Sequence, residues 1–122
     1  MAGQLAGQPI DPLLDFCRSL PGVTEDVKWD NDLVFSVGGK MFAVFGLPDL
    51  EPIGFKVDPV VFPVLTRQPG IVPAPYMAKH SWINVTRDAL PADALEELLR
   101  TSHALVAQKL SKKMRASLGI SS

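Results

Sequence analysis

Cysteine is almost missing from this chain: Cys17 is the single thiol in 122 residues. One thiol excludes an internal disulfide and any cysteine-rich zinc site. Histidine is scarce as well, with only His80 and His103, too scattered for a zinc spacing. Neither stands at the spacing of a recognisable nucleophile motif. No apolar run approaches the roughly 20 residues that span a bilayer. The first eight residues, Met1 to Gln8, lack both the basic region and the apolar run of a signal peptide. Neither sign of charge dominates: twelve Lys and Arg stand against thirteen Asp and Glu, net −1. No global field therefore draws the chain to phosphate or to a membrane. A Gly-rich phosphate loop is also lacking, since Gly38-Gly39 is an isolated pair. These absences predict a non-enzymatic, cytoplasmic protein with no metal, no cofactor and no membrane partner.

What is present fits one domain of ordinary hydrophobicity, with 47% apolar residues. Residues 1–9 are small and polar and are expected to be a disordered tail, leaving 10–118 as the domain. Asp11-Pro12 offers a helix cap followed by proline at the first helical position. Leu13, Phe16, Cys17 and Leu20 then fall on one helical stripe, so Cys17 reads as a buried small hydrophobe. From Val23 the period changes to two, and Val27 and Trp29 suggest a short first strand or extended lead-in. Leu33 to Val37, Gly38-Gly39 and Lys40 to Phe45 form a hairpin with a two-residue loop. Uninterrupted pairing there sets Phe35 opposite Phe42 and Leu33 opposite Val44.

Ile53, Phe55 and Val57 mark a further strand, and residues 59–66 a short or kinked helix interrupted by Pro63. Residues 81–87 alternate as a strand. A last helix begins at Pro91, with Leu95, Leu98, Leu99, Leu105 and Val106 as its apolar stripe and Glu96–Arg100 as an exposed pair. The expected fold class is α+β: a two-layer sandwich, with helices on one face of an antiparallel sheet of about five strands, in the order α-β(3)-α-β(2)-α.

Two charged clusters have plain explanations. Glu25-Asp26 and Asp30/Asp32 flank a turn, where acids are common. Lys109, Lys112, Lys113 and Arg115 close the last helix, where cations oppose the macrodipole, although a phosphate-contacting tail is the other reading. The stretch Tyr76 to Trp82 is richer. Tyr76, Lys79, His80 and Trp82 supply an aromatic face, a fixed cation and a switchable one. Trp82 either stacks on a ligand or packs in the core.

In order and spacing, several segments resemble the MmcQ/YjbR family of the CyaY-like superfamily. They are Phe16 to Glu25, Phe35 to Ala43, Phe55 to Pro59, Pro69 to Ala74, Met77 with Lys79, Trp82 and Val85, and Leu98 to Lys113. The resemblance covers roughly residues 11–115. Tyr76, Ala78 and Ser81 stand where many relatives carry histidine, asparagine and histidine, while Lys40, Lys56, Lys79 and Trp82 match. The resemblance implies a YjbR-like two-layer fold and DNA binding through a sheet-and-loop surface. On that reading Lys40, Lys56, Lys79, His80 and Arg87 meet phosphate while Tyr76 or Trp82 stacks. The rival expectation is a protein-interaction or chaperone-like module, binding a protein partner or a second copy, marked by exposed Met41, Phe45 or Val34. A third is a small-ligand pocket, marked by an open cavity beside Trp82.

Overall fold

The computed structural model describes residues 11–29 and 31–120. The expected tail at residues 1–9 and the turn residue Asp30 lie outside the described residues. The elements are α1 (Pro12–Ser19), β1 (Val23–Lys28), β2 (Asp32–Val37), β3 (Lys40–Gly46), β4 (Ile53–Lys56), α2 (Phe62–Leu65), β5 (Ile71–Pro73), β6 (Trp82–Val85), α3 (Ala92–Ala107) and α4 (Lys112–Ser117). The strands form one antiparallel sheet in the order β1-β2-β3-β4-β6-β5. The long helices α1 and α3 pack against one face. The two-layer α+β class is as expected, with six strands in place of about five and four of them, not three, before α2.

The extra strands carry weak sequence signals for a physical reason. β1 is an edge strand whose side chains are exposed or half-buried throughout, so it lacks the apolar alternation of a core strand. β5 is only three residues long and ends in a proline. Pro63 falls within the first turn of α2, where its missing amide has no intrahelical acceptor to lose. The helix is accordingly a single turn, not the longer element expected over 59–66.

Asp11 caps α1 as its sequence suggests, accepting the Leu13 amide at 2.9 Å. Gly38 and Gly39 take φ of +58° and +82°, the left-handed pair that a two-residue hairpin needs. The hairpin register departs from simple alternation. Val37 does face Lys40, but Phe35 faces Ala43 and Leu33 faces Phe45, because an extra residue is inserted at Phe42. This β-bulge turns two consecutive side chains, Phe42 and Ala43, into the helix-covered core. There Phe42 packs edge-on against His103 at 5.2 Å, and Phe35 meets Phe45 at 5.8 Å. Three benzyl groups and an imidazole pack together here at the expense of an unbroken ladder.

The ladder between β3 and β4 ends at Ala43↔Phe55. At the next step the buried hydroxyl of Ser102, from α3, donates to the Phe42 carbonyl at 2.6 Å and accepts the Lys56 amide at 3.0 Å. One side chain thereby satisfies backbone groups from two strands that separate at this point. His103 is structural: it is buried, with Nε2 2.8 Å from the Pro21 carbonyl oxygen. Cys17 is fully buried, and burial pushes its thiol up to about 12.

Two features of the last helix differ from expectation. Arg100 lies 3.6 Å from Glu97, not Glu96, and its guanidinium sits 4.9 Å from the Phe16 ring centre. The ring draws the cation toward α1, in reach of the i−3 carboxylate. The helix also stops at Ala107. Ser111 accepts the Met114 amide at 3.0 Å and opens α4, so Lys112 and Lys113 begin a helix and do not end one. Arg115 folds back over the end of α3, donating to the carbonyls of Gln108, its C-cap residue, at 3.4 Å and of Leu110 at 2.8 Å.

Candidate nucleic-acid interface on the open sheet face

The pleat fixes which residues look away from the helices. Val34, Val44, Gly54 and Asn84 lie in one cross-strand row, with Lys56 beside Trp82 in the row below. Among the described residues, the long helices α1 and α3 pack on the opposite face. Val34, Ala74 and Trp82 are buried yet stand outside the main core cluster. Phe45 belongs to the core, so it is unavailable to a partner.

The stretch from Ala74 to Ser81 joins β5 to β6 and coils back on itself. The Ala74 amide donates to the Trp82 carbonyl at 3.0 Å, and the Trp82 amide donates to the Met77 carbonyl at 3.3 Å. A 3-10 turn over Ala78–His80 ends at Ser81, whose φ of +64° reverses the chain into β6. The Lys56 ammonium donates to the His80 carbonyl at 2.6 Å and ties this loop to β4. Gly54 makes room beside it. A Cβ there would sit 2.8 Å from the Asn84 Oδ1, too close without a shift of that side chain, and 3.9 Å from the Trp82 ring, an ordinary contact; the glycine thus makes room for Asn84.

Two clefts flank Trp82. The first, about 380 Å³, opens where β3 and β4 separate, and gathers Lys40, Lys56, His80 and Lys109 around Met41, Met77 and Val106. No acidic side chain lines it. Burial lowers the pKa of Lys56, and the nearby Lys109 cation lowers it further. The second cleft, about 330 Å³, lies over Val44, Gly54 and Asn84, between Trp29 and Tyr76, with Asp32 among its walls. Met41, Met77 and Trp82 line both clefts.

The fold therefore brings Lys40, Lys56, His80 and Trp82 together, with Tyr76 on the adjoining cleft. Trp82 is a wall and not a free platform, being 6% exposed. Lys79 is exposed on the 3-10 turn and lines neither cleft. Arg87 lies apart, its guanidinium 2.6 Å from Asp11 and its amide 3.0 Å from the Glu51 carboxylate. Trp29 and Lys109 join the site without having been singled out for it. Trp29 looked like part of a strand, and Lys109 like a helix-terminal cation. The sheet order brings Trp29 to the cleft that Tyr76 lines, and the packing of α3 on β3 and β4 brings Lys109 to Lys56.

Among the described residues no group of three or more His, Cys, Asp or Glu is placed to hold a metal. No described helix is long and apolar enough to cross a membrane.

Comparison with known proteins agrees with this architecture. A crystal structure of a protein from Pseudomonas syringae superposes with a TM-score of 0.62 at 24% identity, over 80% of this chain and 99% of that one. At that identity the likeness speaks for the fold alone. No protein of curated function matches the chain. The YjbR family profile matches residues 18–105, a span that runs from the end of α1 through most of α3; it takes in the whole lining of the second cleft and that of the first except Val106 and Lys109. The chain belongs to the YjbR family.

Proposed function

We propose that the protein is a non-enzymatic DNA-binding protein that contacts phosphate through the cleft between β3 and β4. One observation carries this reading: Lys40, Lys56, His80 and Lys109 surround one cleft that no carboxylate lines. Clustered cations without counter-charge are the local feature that a near-neutral protein needs to attract a polyanion. Lys40 stands at the hairpin tip, and Lys79, outside the cleft lining, is an exposed cation on the 3-10 turn that carries His80. Arg87 does not enter this reading, because Asp11 already engages its charge.

The test is binding of labelled duplex DNA by anisotropy between about 50 and 200 mM salt. Each phosphate neutralised steepens the log–log salt dependence by about 0.9. A Lys40→Glu/Lys109→Glu double variant, altered at two exposed positions, is expected to flatten that slope and to lose most of the affinity. Binding insensitive to salt, or absent at the lowest salt, overturns the reading.

The protein-interaction reading draws support from exposed apolar side chains, the rings of Trp29 and Tyr76 among them. It predicts concentration-dependent association, read by sedimentation, that survives high salt.

A further inference from the structure

Trp29 and Tyr76 form the outer walls of the second cleft, yet they contribute little to the core: Trp29 is 63% exposed and Tyr76 100%. Both have left-handed backbone, with φ of +52° and +67°. That region is costly for residues with a Cβ, and such strain gathers at functional sites. Among the described residues four non-glycines have positive φ, namely Trp29, Leu50, Tyr76 and Ser81. Two of the four are the aromatic walls of one cleft, and a third ends the turn beside it.

We propose that this cleft takes one unpaired base of a single-stranded nucleic acid whose phosphate lies in the adjoining cationic cleft. The proposal rests on the phosphate-binding reading and narrows it to strands with accessible bases. The two clefts meet along Met41, Met77 and Trp82, so one occupant can fill both. A nucleotide carries an aromatic ring and an anion on one short covalent frame. An apolar partner surface would fill the aromatic cleft and leave Lys40, Lys56 and Lys109 without counter-charge.

The volume, about 330 Å³, lies at the small end of ligand clefts and suits a single ring system. Over Gly54 the Asn84 side chain lies across the strand and forms part of the floor on which a ring would rest. The carboxylate of Asp32 repels phosphate but accepts a hydrogen bond from a base amine, so this cleft suits the base end of the nucleotide. In a duplex the faces of the bases are hidden in the stack, so only a single strand presents one to Tyr76 or Trp29.

The experiment compares a labelled single strand of roughly 15 nucleotides with the duplex of the same sequence, at about 50 mM salt. Wild type, Tyr76→Ala and Trp29→Ala are measured in parallel, with circular dichroism to confirm that each variant is folded. The single strand is expected to bind about tenfold or more tightly than the duplex. Each substitution is expected to weaken strand binding about 5- to 150-fold, the range of one lost stacking contact. Duplex binding is expected to change less than about twofold, since phosphate contacts carry it. Duplex affinity equal to that of the strand, or substitutions without effect, overturns the base cleft and leaves the phosphate reading standing. Binding of neither form overturns both. A dimer seen by sedimentation and dissolved by Tyr76→Ala gives the cleft to a second copy of the chain and also overturns the proposal.

Discussion

The ammonium of Lys56 is 2.6 Å from the backbone carbonyl oxygen of His80, joining the end of β4 to the loop that carries Tyr76. This contact couples the two clefts: the same cation lines one and holds in place the loop that walls the other.

Lys56→Met retains most of the aliphatic stem and removes the tie. The variant is expected to lose roughly 1 kcal/mol of stability near neutral pH, the worth of an ordinary hydrogen bond. The pH dependence carries a clearer signature. The folded state lowers the Lys56 pKa, through burial first and Lys109 second, so it holds this proton less tightly than the unfolded chain does. Stability from this group is therefore present above the ordinary value of 10.5 and is lost as pH falls through the lowered folded value. Denaturant titrations of wild type and Lys56→Met, taken from pH 8 upward, should show the wild type gaining on the variant as pH approaches about 10.5.

Ser102→Ala strips one hydroxyl from two backbone partners, the Phe42 carbonyl and the Lys56 amide. A buried group left unsatisfied costs about 1–3 kcal/mol, so a loss of roughly 2–4 kcal/mol is expected by denaturant unfolding. Ser102→Thr, which retains a hydroxyl, separates the lost bonds from any effect of side-chain size. A drop below about 1 kcal/mol for the alanine variant would mean that water or a direct strand–strand bond replaces the hydroxyl.

Cys17 should be inert in the native protein. Its thiol is pushed from an ordinary value of 9.0 to about 12 by burial against the core. A pKa raised in the folded state gives stability that is whole below pH 9.0 and is lost as pH climbs toward about 12. The decline in that window is expected at about 1.4 kcal/mol per pH unit, and to disappear in Cys17→Ala. A disulfide reagent at pH 8 should label Cys17 only at the rate of unfolding.

Asp11 has two separable duties. One carboxylate oxygen accepts the Leu13 amide at 2.9 Å, and the other meets the Arg87 guanidinium at 2.6 Å. Asp11→Asn retains a capping oxygen and gives up the ion pair, whereas Asp11→Ala gives up both. The alanine variant is expected to fall below the asparagine variant by about 1 kcal/mol, the usual worth of a cap. Equal thermal midpoints for the two would show that the cap contributes nothing here.

Much of the fold was legible in the chain. Asp11-Pro12, Gly38-Gly39 and the leucines from Leu95 to Leu99 marked a helix start, a hairpin and a helix face by local rules alone. Phe42 was not legible in the same way, because alternation cannot show where a ladder takes an extra residue. The bulge follows from what α3 presents to it, His103 and Ser102, about sixty residues along the chain. The site divides along similar lines. Tyr76, His80 and Trp82 stood out because they are close in sequence, and Lys40 and Lys56 because they match a family pattern. Trp29 reaches the same surface through the sheet order, and Lys109 through the packing of α3 on β3 and β4. Arg87 shows the converse: a cation conspicuous in sequence whose charge is engaged by an aspartate far away in the chain.

The edges of the sheet bear on how any partner can approach. A strand laid along β1 would run beside Glu25 and Asp26, and in a copy pairing with itself about the strand centre those acids would face each other. Glu25 is also clamped by Arg18, with contacts of 2.7 and 3.0 Å. At the far side β5 offers three residues, and its Pro73 has no amide to donate. Both margins are thus poor templates for further strands, and the sheet is guarded against end-on growth into fibres. The broad surface between the margins, where Trp82 stands, is under no such constraint.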